Sequence, residues 1–305
     1  MKKQTLKGFL ALLGVAAFSV LMGVVVRYLS FYFTLLQQIY LRVLVASVLG
    51  FVIFRRNLDF RKFKNIPNKE LTVLVGRAAL GFLLAGPLWV QGFTLAKIAN
   101  ATFIDAIPMS AVLGFLLLRE KITPKKVVLL ILTFLGVVIV SLSDFSNLSS
   151  WGRGEILVLM GTIFFALRNI SRRWHTGFLN DSEITQIMHV IGFLLVFAFS
   201  QILGEGMPST HWHLSVLLIV LIGGFLNIAI LYLTNIGFAN TPANIAGTTL
   251  TLGTVFGVIF GFMFYREIPT IRELFGGIVI TLSVIEMNRI GKNKMIDDKF
   301  AMKEV

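Results

Sequence analysis

The residues of this chain that are able to do chemistry are few, and they sit inside apolar runs. Arg42 lies seven residues beyond Leu35, where one apolar run begins, and Asp105 six beyond Ala99, where another begins. If both runs are helices entering a membrane from the same side, a rise of about 1.5 Å per residue puts both charges roughly 10 Å below that boundary. An unpartnered charge at such depth costs about 3 kcal/mol or more. Two readings therefore stand for Arg42 and Asp105: an ion pair that clamps two helices, or groups in a wet cavity that touch a charged substrate. Gln38, one turn before Arg42 on the same helical face, fits either role. Arg77, Arg168 and His189 gather by depth toward the opposite side. Basic side chains there suit a carboxylate or phosphate held by charge-assisted hydrogen bonds, whereas Arg168, near the end of its run, is expected rather to snorkel toward lipid headgroups. His189 is either a proton relay near neutral pH or a packing and hydrogen-bonding residue.

Several kinds of chemistry find no support. There is no Gly-rich phosphate loop, no Asp-rich metal motif and no selectivity-filter sequence, so no cofactor or metal is expected. His211-Trp212-His213 lacks further ligands and reads as an interfacial stretch. With no cysteine, disulfides and thiolate metal sites are excluded. The expectation is a non-enzyme.

The elements that must position these side chains are membrane helices. Hydrophobic residues make up 56% of the chain and charged ones 14%, against about 25% charged in a soluble domain, and mean hydropathy is +0.84. The expected fold is an all-α membrane protein with ten transmembrane helices: Gly8 to Val26, Leu35 to Phe54, Leu71 to Phe93, Ala99 to Leu118, Val127 to Leu142, Gly154 to Arg172, Ile184 to Leu203, Leu214 to Phe238, Ala243 to Tyr265 and Ile271 to Met287. The basic N-terminus is read as leading into a retained first span rather than a cleaved signal. Ten spans divide the basic residues unevenly. With a cytoplasmic N-terminus, twenty Lys and Arg fall on the inner side and five on the outer, which is the positive-inside bias and places both termini in the cytoplasm. The net charge of +13 is thereby explained by topology, and nucleic acid is not an expected partner; the lipid bilayer is.

The chain is also written twice. An ungapped offset of 147 residues superposes Ile98 on Ile245, Thr102 on Thr249, Gly114 on Gly261, Arg119 on Arg266 and Glu120 on Glu267, as well as Gly14 on Gly161 and Gly76 on Gly223. The expected organisation is a first five-helix repeat over residues 1–142, an outer linker over 143–153, a second repeat over 154–290 and a polar tail over 291–305. Five spans per half is an odd number, so the second half lies inverted relative to the first. Inverted repeats are a construction of secondary transporters.

Particular stretches carry a family likeness. Ala99-Asn-Ala-Thr102, Ile107-Pro108 and Leu116-Leu-Leu-Arg-Glu120, with Gly237-Phe-Ala-Asn-Thr-Pro-Ala243 and Tyr265-Arg-Glu267 as second-half counterparts, resemble the EamA-type proteins of the drug/metabolite transporter superfamily. The resemblance covers nearly the whole chain. It departs at Ile107, where the family usually has an acidic residue, and at Arg119 and Arg266, where it usually has Gly. It implies a central cavity lined chiefly by the third, fourth, eighth and ninth helices, serving small metabolites by alternating access. Asn100, Asn227 and Thr248 lie on those helices and join the candidate contacts. Pro108 is expected to bend the fourth helix as a gating element, while Glu120 and Glu267 are expected to fix helix ends.

The expected function is a multi-pass secondary transporter of the inner (plasma) membrane moving a small polar metabolite, amino-acid-like or another organic anion, with export favoured. Uptake of a nucleotide-derived or phosphorylated metabolite is the alternative within transport, and a membrane-embedded transferase the alternative outside it. Substrate identity, coupling ion and oligomeric state are left open.

Overall fold

A computed structural model describes residues 2–96, 101, 104–120, 123–141, 152–209, 212–266 and 268–301. The described residues form helices, turns and loops, without strands. In chain order the helices are α1 (Lys2–Leu29), α2 (Leu35–Phe54), α3 (Phe60–Phe63), α4 (Asn68–Ala78), a π-helical segment (Ala79–Ala85), α5 (Gly86–Leu95), α6 (Met109–Leu117), α7 (Pro124–Ser141), α8 (Arg153–Ile170), a 3-10 turn (Ser171–Trp174), α9 (Asp181–Ile202), α10 (Leu214–Asn240), α11 (Ala243–Leu250), α12 (Leu252–Tyr265) and α13 (Ile271–Ala301). Seven stretches are long and apolar enough to cross a membrane: Leu6–Leu29, Leu35–Phe54, Asn68–Leu95, Arg153–Trp174, Asp181–Ile202, Leu214–Asn240 and Ala243–Phe260.

Local sequence explains the helix boundaries. Thr34 caps α2 by accepting from the Gln37 amide while the Gln37 side chain accepts from Thr34 N, a reciprocal capping box. Asn180 and Glu183 do the same for α9, whose first turn also carries Asp181 to complement the helix dipole. The π-helical segment has a cause two residues beyond it. Pro87 lacks an N–H and its ring would collide with the carbonyl four residues back in an α-helix; the wider turn, with Gly86 N donating to Gly81 O, relieves that clash. Pro108 does more than bend the fourth span. The helix containing Ile104 and Asp105 ends in a turn at Ala106, and α6 starts anew after Pro108.

The main helix pairings are α2 with α9, α6 with α11, α7 with α13, α1 with α10, and α5 with α8. Each pair runs antiparallel. Gly8 near the start of α1 faces Asn240 and Thr241 at the end of α10, and Gly154 at the start of α8 lies against Leu95 and Ala96 at the end of α5. On α7 and α13, a Cβ added to Gly136 would come within 2.7 Å of Ile280 Cγ1, and one on Gly276 within 2.9 Å of Gly136 O, so the backbones meet where only glycine fits. Exchanging α1 with α8, α2 with α9, α5 with α10, α6 with α11 and α7 with α13 leaves this pairing scheme unchanged.

The α2·α9 pair is tied at both ends. At one, Glu205 accepts from Thr34 Oγ1 (2.6 Å) and Leu36 N (3.5 Å), and Gln37 Nε2 donates to Glu205 O (3.2 Å). At the other, Asp59 N donates to Glu183 Oε1 (3.1 Å) and Asn180 Nδ2 to Asn57 O (2.9 Å). This second end is the basic one, where Lys62, Arg172, Arg173 and Lys125 form ion pairs with Glu183, Asp181, Glu120 and Glu286.

Among described residues, the non-glycine residues with left-handed backbone are Arg119 (φ 52°) and Arg266 (φ 56°), the two positions matched by the 147-residue offset. Both follow a helix end, and both are exposed. A left-handed L-residue costs roughly 1–2 kcal/mol, partly offset by the unfolded-state entropy that glycine would bring. Arg119→Gly and Arg266→Gly are each expected to stabilise the protein by about 0.5–1 kcal/mol, read as a raised thermal midpoint in detergent; an unchanged or lowered midpoint for both contradicts the strain.

Candidate functional site

Three buried arginines define the polar interior, and none of them touches a carboxylate among the described residues. Arg77, 1% exposed, is on α4, ten residues into its span. Its Nε donates to Arg168 O (3.1 Å), its Nη2 to Asn235 Oδ1 (2.7 Å) and its Nη1 to His175 Nε2 (3.0 Å). Arginine has no acceptor, so His175 Nε2 must offer a lone pair. The imidazole proton then sits on Nδ1, which donates to Glu70 Oε1 at 2.6 Å. Glu70 Oε2 accepts from Thr176 N and Thr176 Oγ1, both at 2.7 Å. On the far side, Asn235 Nδ2 donates to Thr185 Oγ1 (2.9 Å) and Thr185 Oγ1 to Asp181 O (2.6 Å). One guanidinium thus links α4, the α8–α9 connection, α9 and α10.

Arg168, 8% exposed, lies beside it near the end of α8. Its aliphatic stem crosses Gly81 of the π-helical segment, its guanidinium stacks 4.7 Å from the Phe165 ring centroid, and Nε and Nη2 donate to Asn169 Oδ1. Snorkelling does not describe this side chain, which is folded into the interior. Arg42, 4% exposed, lies on α2 against Gly223 of α10. Its Nε donates to Gln38 O (2.8 Å) and its Nη1 approaches Met22 Sδ (2.9 Å).

Asp105 does not join Arg42. Its Oδ1 accepts from Trp89 Nε1 (2.9 Å) and Thr162 Oγ1 (3.2 Å), which ties it to α5 and α8. Gln38 sits beside Arg42 with its Oε1 buried and unpartnered. His189 hydrogen-bonds Thr185 O through Nδ1 (2.8 Å) and lies 5.6 Å from the Phe82 ring, while Nε2, turned to the backbone of Asn227, makes no well-formed hydrogen bond. The positions occupied by Arg42 contacts, Asn227 and Asn235 run along α10 as Gly223, 227 and 235, four and eight residues apart. That spacing keeps them near one helix face. Thr248 bonds the carbonyls of Asn244 and Ile245 in its own helix, the ordinary use of a helical threonine. Asn100 and Glu267 lie outside the described residues, as does most of the 143–153 linker.

Glu120 joins the two halves. Its carboxylate accepts from Ala243 N (2.7 Å) and Asn244 N (3.0 Å) at the start of α11, and Arg173 Nη1 lies 3.4 Å away. An anion at a helix N-terminus is stabilised by the unpaired amides and the helix dipole. Glu70, His175, Thr176 and Asn235 belong to no motif that marks them in the sequence. The signal was present in Glu70 and Arg77, which are seven residues apart on one helical face.

His175 belongs to the connection after the span ending at Trp174. Burial pushes its imidazole down to about 4, with the Arg77 guanidinium acting in the same direction and Glu70 opposing. A histidine ordinarily titrates near 6.5. Since the folded value lies below the unfolded one, the stabilising contribution is complete above about pH 6.5 and is lost as pH falls toward about 4, because the unfolded chain binds the proton first. The folding equilibrium is expected to weaken over that window by up to about tenfold per pH unit from this group. His175→Gln should flatten that part of the slope in thermal midpoints measured between pH 7 and 4; an identical slope in the variant contradicts the assignment.

Comparison with known proteins agrees with this architecture. The model of the EamA-like transporter family matches the chain twice, over residues 6–142 and 152–289. A protein of Methanothermobacter thermautotrophicus named an uncharacterized transporter is 24% identical over 233 residues, spanning 74% of this chain and 67% of its own length. One from Acidianus ambivalens, named an uncharacterized transporter in the sor 3′ region, is 30% identical over 145 residues, 47% of this chain and 54% of its own. A solved crystal structure superposes with a TM-score of 0.75 at 14% identity, covering 96% of this chain and 99% of that one; at that identity the likeness concerns the fold. Two family matches that together take in almost every helix carry the assignment: the chain belongs to the EamA-like transporter family and is a multi-pass membrane transporter.

Proposed function

We propose that the protein is a secondary active transporter of the inner (plasma) membrane that carries a small polar metabolite bearing an anionic group, amino-acid-like or another organic anion, by alternating access with export favoured. In this reading ten spans form two inverted five-helix repeats, 1–142 and 154–290, with both termini in the cytoplasm. The unchanged pairing of helices on exchange of the two halves supports that arrangement.

The observation that carries the substrate class is the isolation of Arg42 and Arg168. Both guanidiniums are buried, and their partners are a carbonyl, a thioether, an amide oxygen and an aromatic ring. A buried cation without a counterion is costly, and an anionic ligand supplies the missing charge. Arg42 approaches α10 at Gly223, and Arg77 meets the same helix at Asn235. About 1.5 Å per residue separates those levels by roughly 18 Å, a span over which an anion would be handed from one guanidinium to the next.

Thermal shift of the purified protein against amino acids, organic acids, nucleotides and sugar phosphates identifies the ligand, since binding to the native state raises apparent stability. Counterflow of that labelled compound in proteoliposomes then tests transport. Arg42→Gln is expected to raise the substrate KM by about 10- to 100-fold, the worth of one charge-assisted hydrogen bond, with normal expression. Recovery of a covalently altered compound would replace transport with a transferase activity, and an unchanged KM would remove Arg42 from the path.

A further inference from the structure

The Glu70–His175–Arg77 chain does more than hold an arginine still. It contains a mutual exclusion. His175 Nε2 has a single lone pair, and Arg77 Nη1 occupies it at 3.0 Å. A proton and the Arg77 N–H therefore compete for one atom. The other imidazole nitrogen is already committed at 2.6 Å to Glu70, and both side chains of that pair are fully buried.

We propose that His175 is a proton-binding site linked to anion binding at Arg77: an anion that draws the guanidinium away frees Nε2 to take a proton from water at the basic end, so that anion and proton are bound together. The anionic substrate it invokes rests on the reading given above. Linkage makes the effect reciprocal, since protonating His175 turns a hydrogen-bond partner of Arg77 into a neighbouring cation and drives the guanidinium toward an anion. Glu70 makes the protonated state tolerable. Its carboxylate already receives Nδ1–H and the two Thr176 donors, so an imidazolium formed there faces a fixed counter-charge. A histidine facing only arginines would have no such state.

The charged groups around His175 fit this exchange. Glu70 and Arg77 face it from α4, and Arg172 of the 3-10 turn adds positive charge that is paired with Asp181 of α9 at 2.6 Å. Arg168 of α8 and Arg172 both act on Arg77 against the opposing charges of Asp181 and Glu70. From α10 the contact is the neutral Asn235. With Arg77 in place, a proton on His175 adds a cation to a group already in positive excess. With an anion on Arg77, the excess is removed. The functional consequence is that one proton is taken up with each anion that binds.

The test follows His175 directly. The chain has four histidines, so full-length protein labelled with nitrogen-15 histidine and purified in detergent gives few signals, and His175→Gln assigns the relevant one. At pH 7 the wild type is expected to show a neutral imidazole with its proton on Nδ1. Sodium sulfate at 50 mM, an anion that does not titrate in this range, is expected to raise the midpoint of His175 by at least one pH unit over sodium chloride of equal ionic strength. Arg77→Gln is expected to bring the midpoint close to the ordinary value of about 6.5 and to abolish the response to sulfate. A proton on Nε2 at neutral pH, or equal midpoints in sulfate and chloride, overturns the proposal; these two readings use wild-type protein and hold even if the Arg77 variant does not fold. Counterflow is scored separately. A silent counterflow assay with the expected sulfate shift sinks the transport reading and leaves the linkage, while active transport with no shift does the reverse.

Discussion

A guanidinium cannot be left bare inside a membrane protein, and this fold is arranged around three of them. Arginine remains protonated, so burial has to be met by acceptors or by negative charge. Arg77 takes the first course, with a backbone carbonyl, an amide oxygen and an imidazole nitrogen on its three donor directions. Negative charge stands one residue further off, on Glu70, and reaches the arginine through His175. Arg168 and Arg42 have fewer partners. Arg77 is thus the best satisfied of the three, with the less satisfied Arg168 beside it.

The helices that hold these side chains are governed by a second constraint, the satisfaction of backbone ends in a setting without free water. Broken spans need caps. α6 and α11 both begin after a proline, and Glu120 supplies the α11 amides with a carboxylate from the other half of the chain. The same turn forces Arg119 into a left-handed conformation, which is repeated at Arg266. Capping and strain are therefore coupled at this joint, since the strained residue immediately precedes the carboxylate that closes the neighbouring helix.

Much of this was legible in the sequence. Apolar run length marks the seven stretches long and apolar enough to cross a membrane, the 147-residue offset anticipates the double family match, and Arg119-Glu120 follows a helix end. Arg119 and Arg266, where the chain departs from the pattern the resemblance implies, both have positive φ, a conformation that glycine adopts without steric cost. The ion-pair reading of Arg42 and Asp105 gives way to separate partners for a simple reason: residue counting yields depth along a helix, and contact depends also on rotation about it. Asp105 faces Trp89 and Thr162 instead. His175 is not legible in the sequence because it lies in a connection, beside Trp174, with its partner Glu70 105 residues away. Long-range polar contacts of this kind leave no local periodicity to read.

The double fastening of α2 to α9 has a mechanical consequence. Helices stitched at the top and the bottom cannot scissor, because opening either end would break the Glu205 cluster or the Glu183 and Asn180 contacts. The pair is then held as one body, whereas the Glu120 carboxylate fastens the start of α11 to the segment that follows α6.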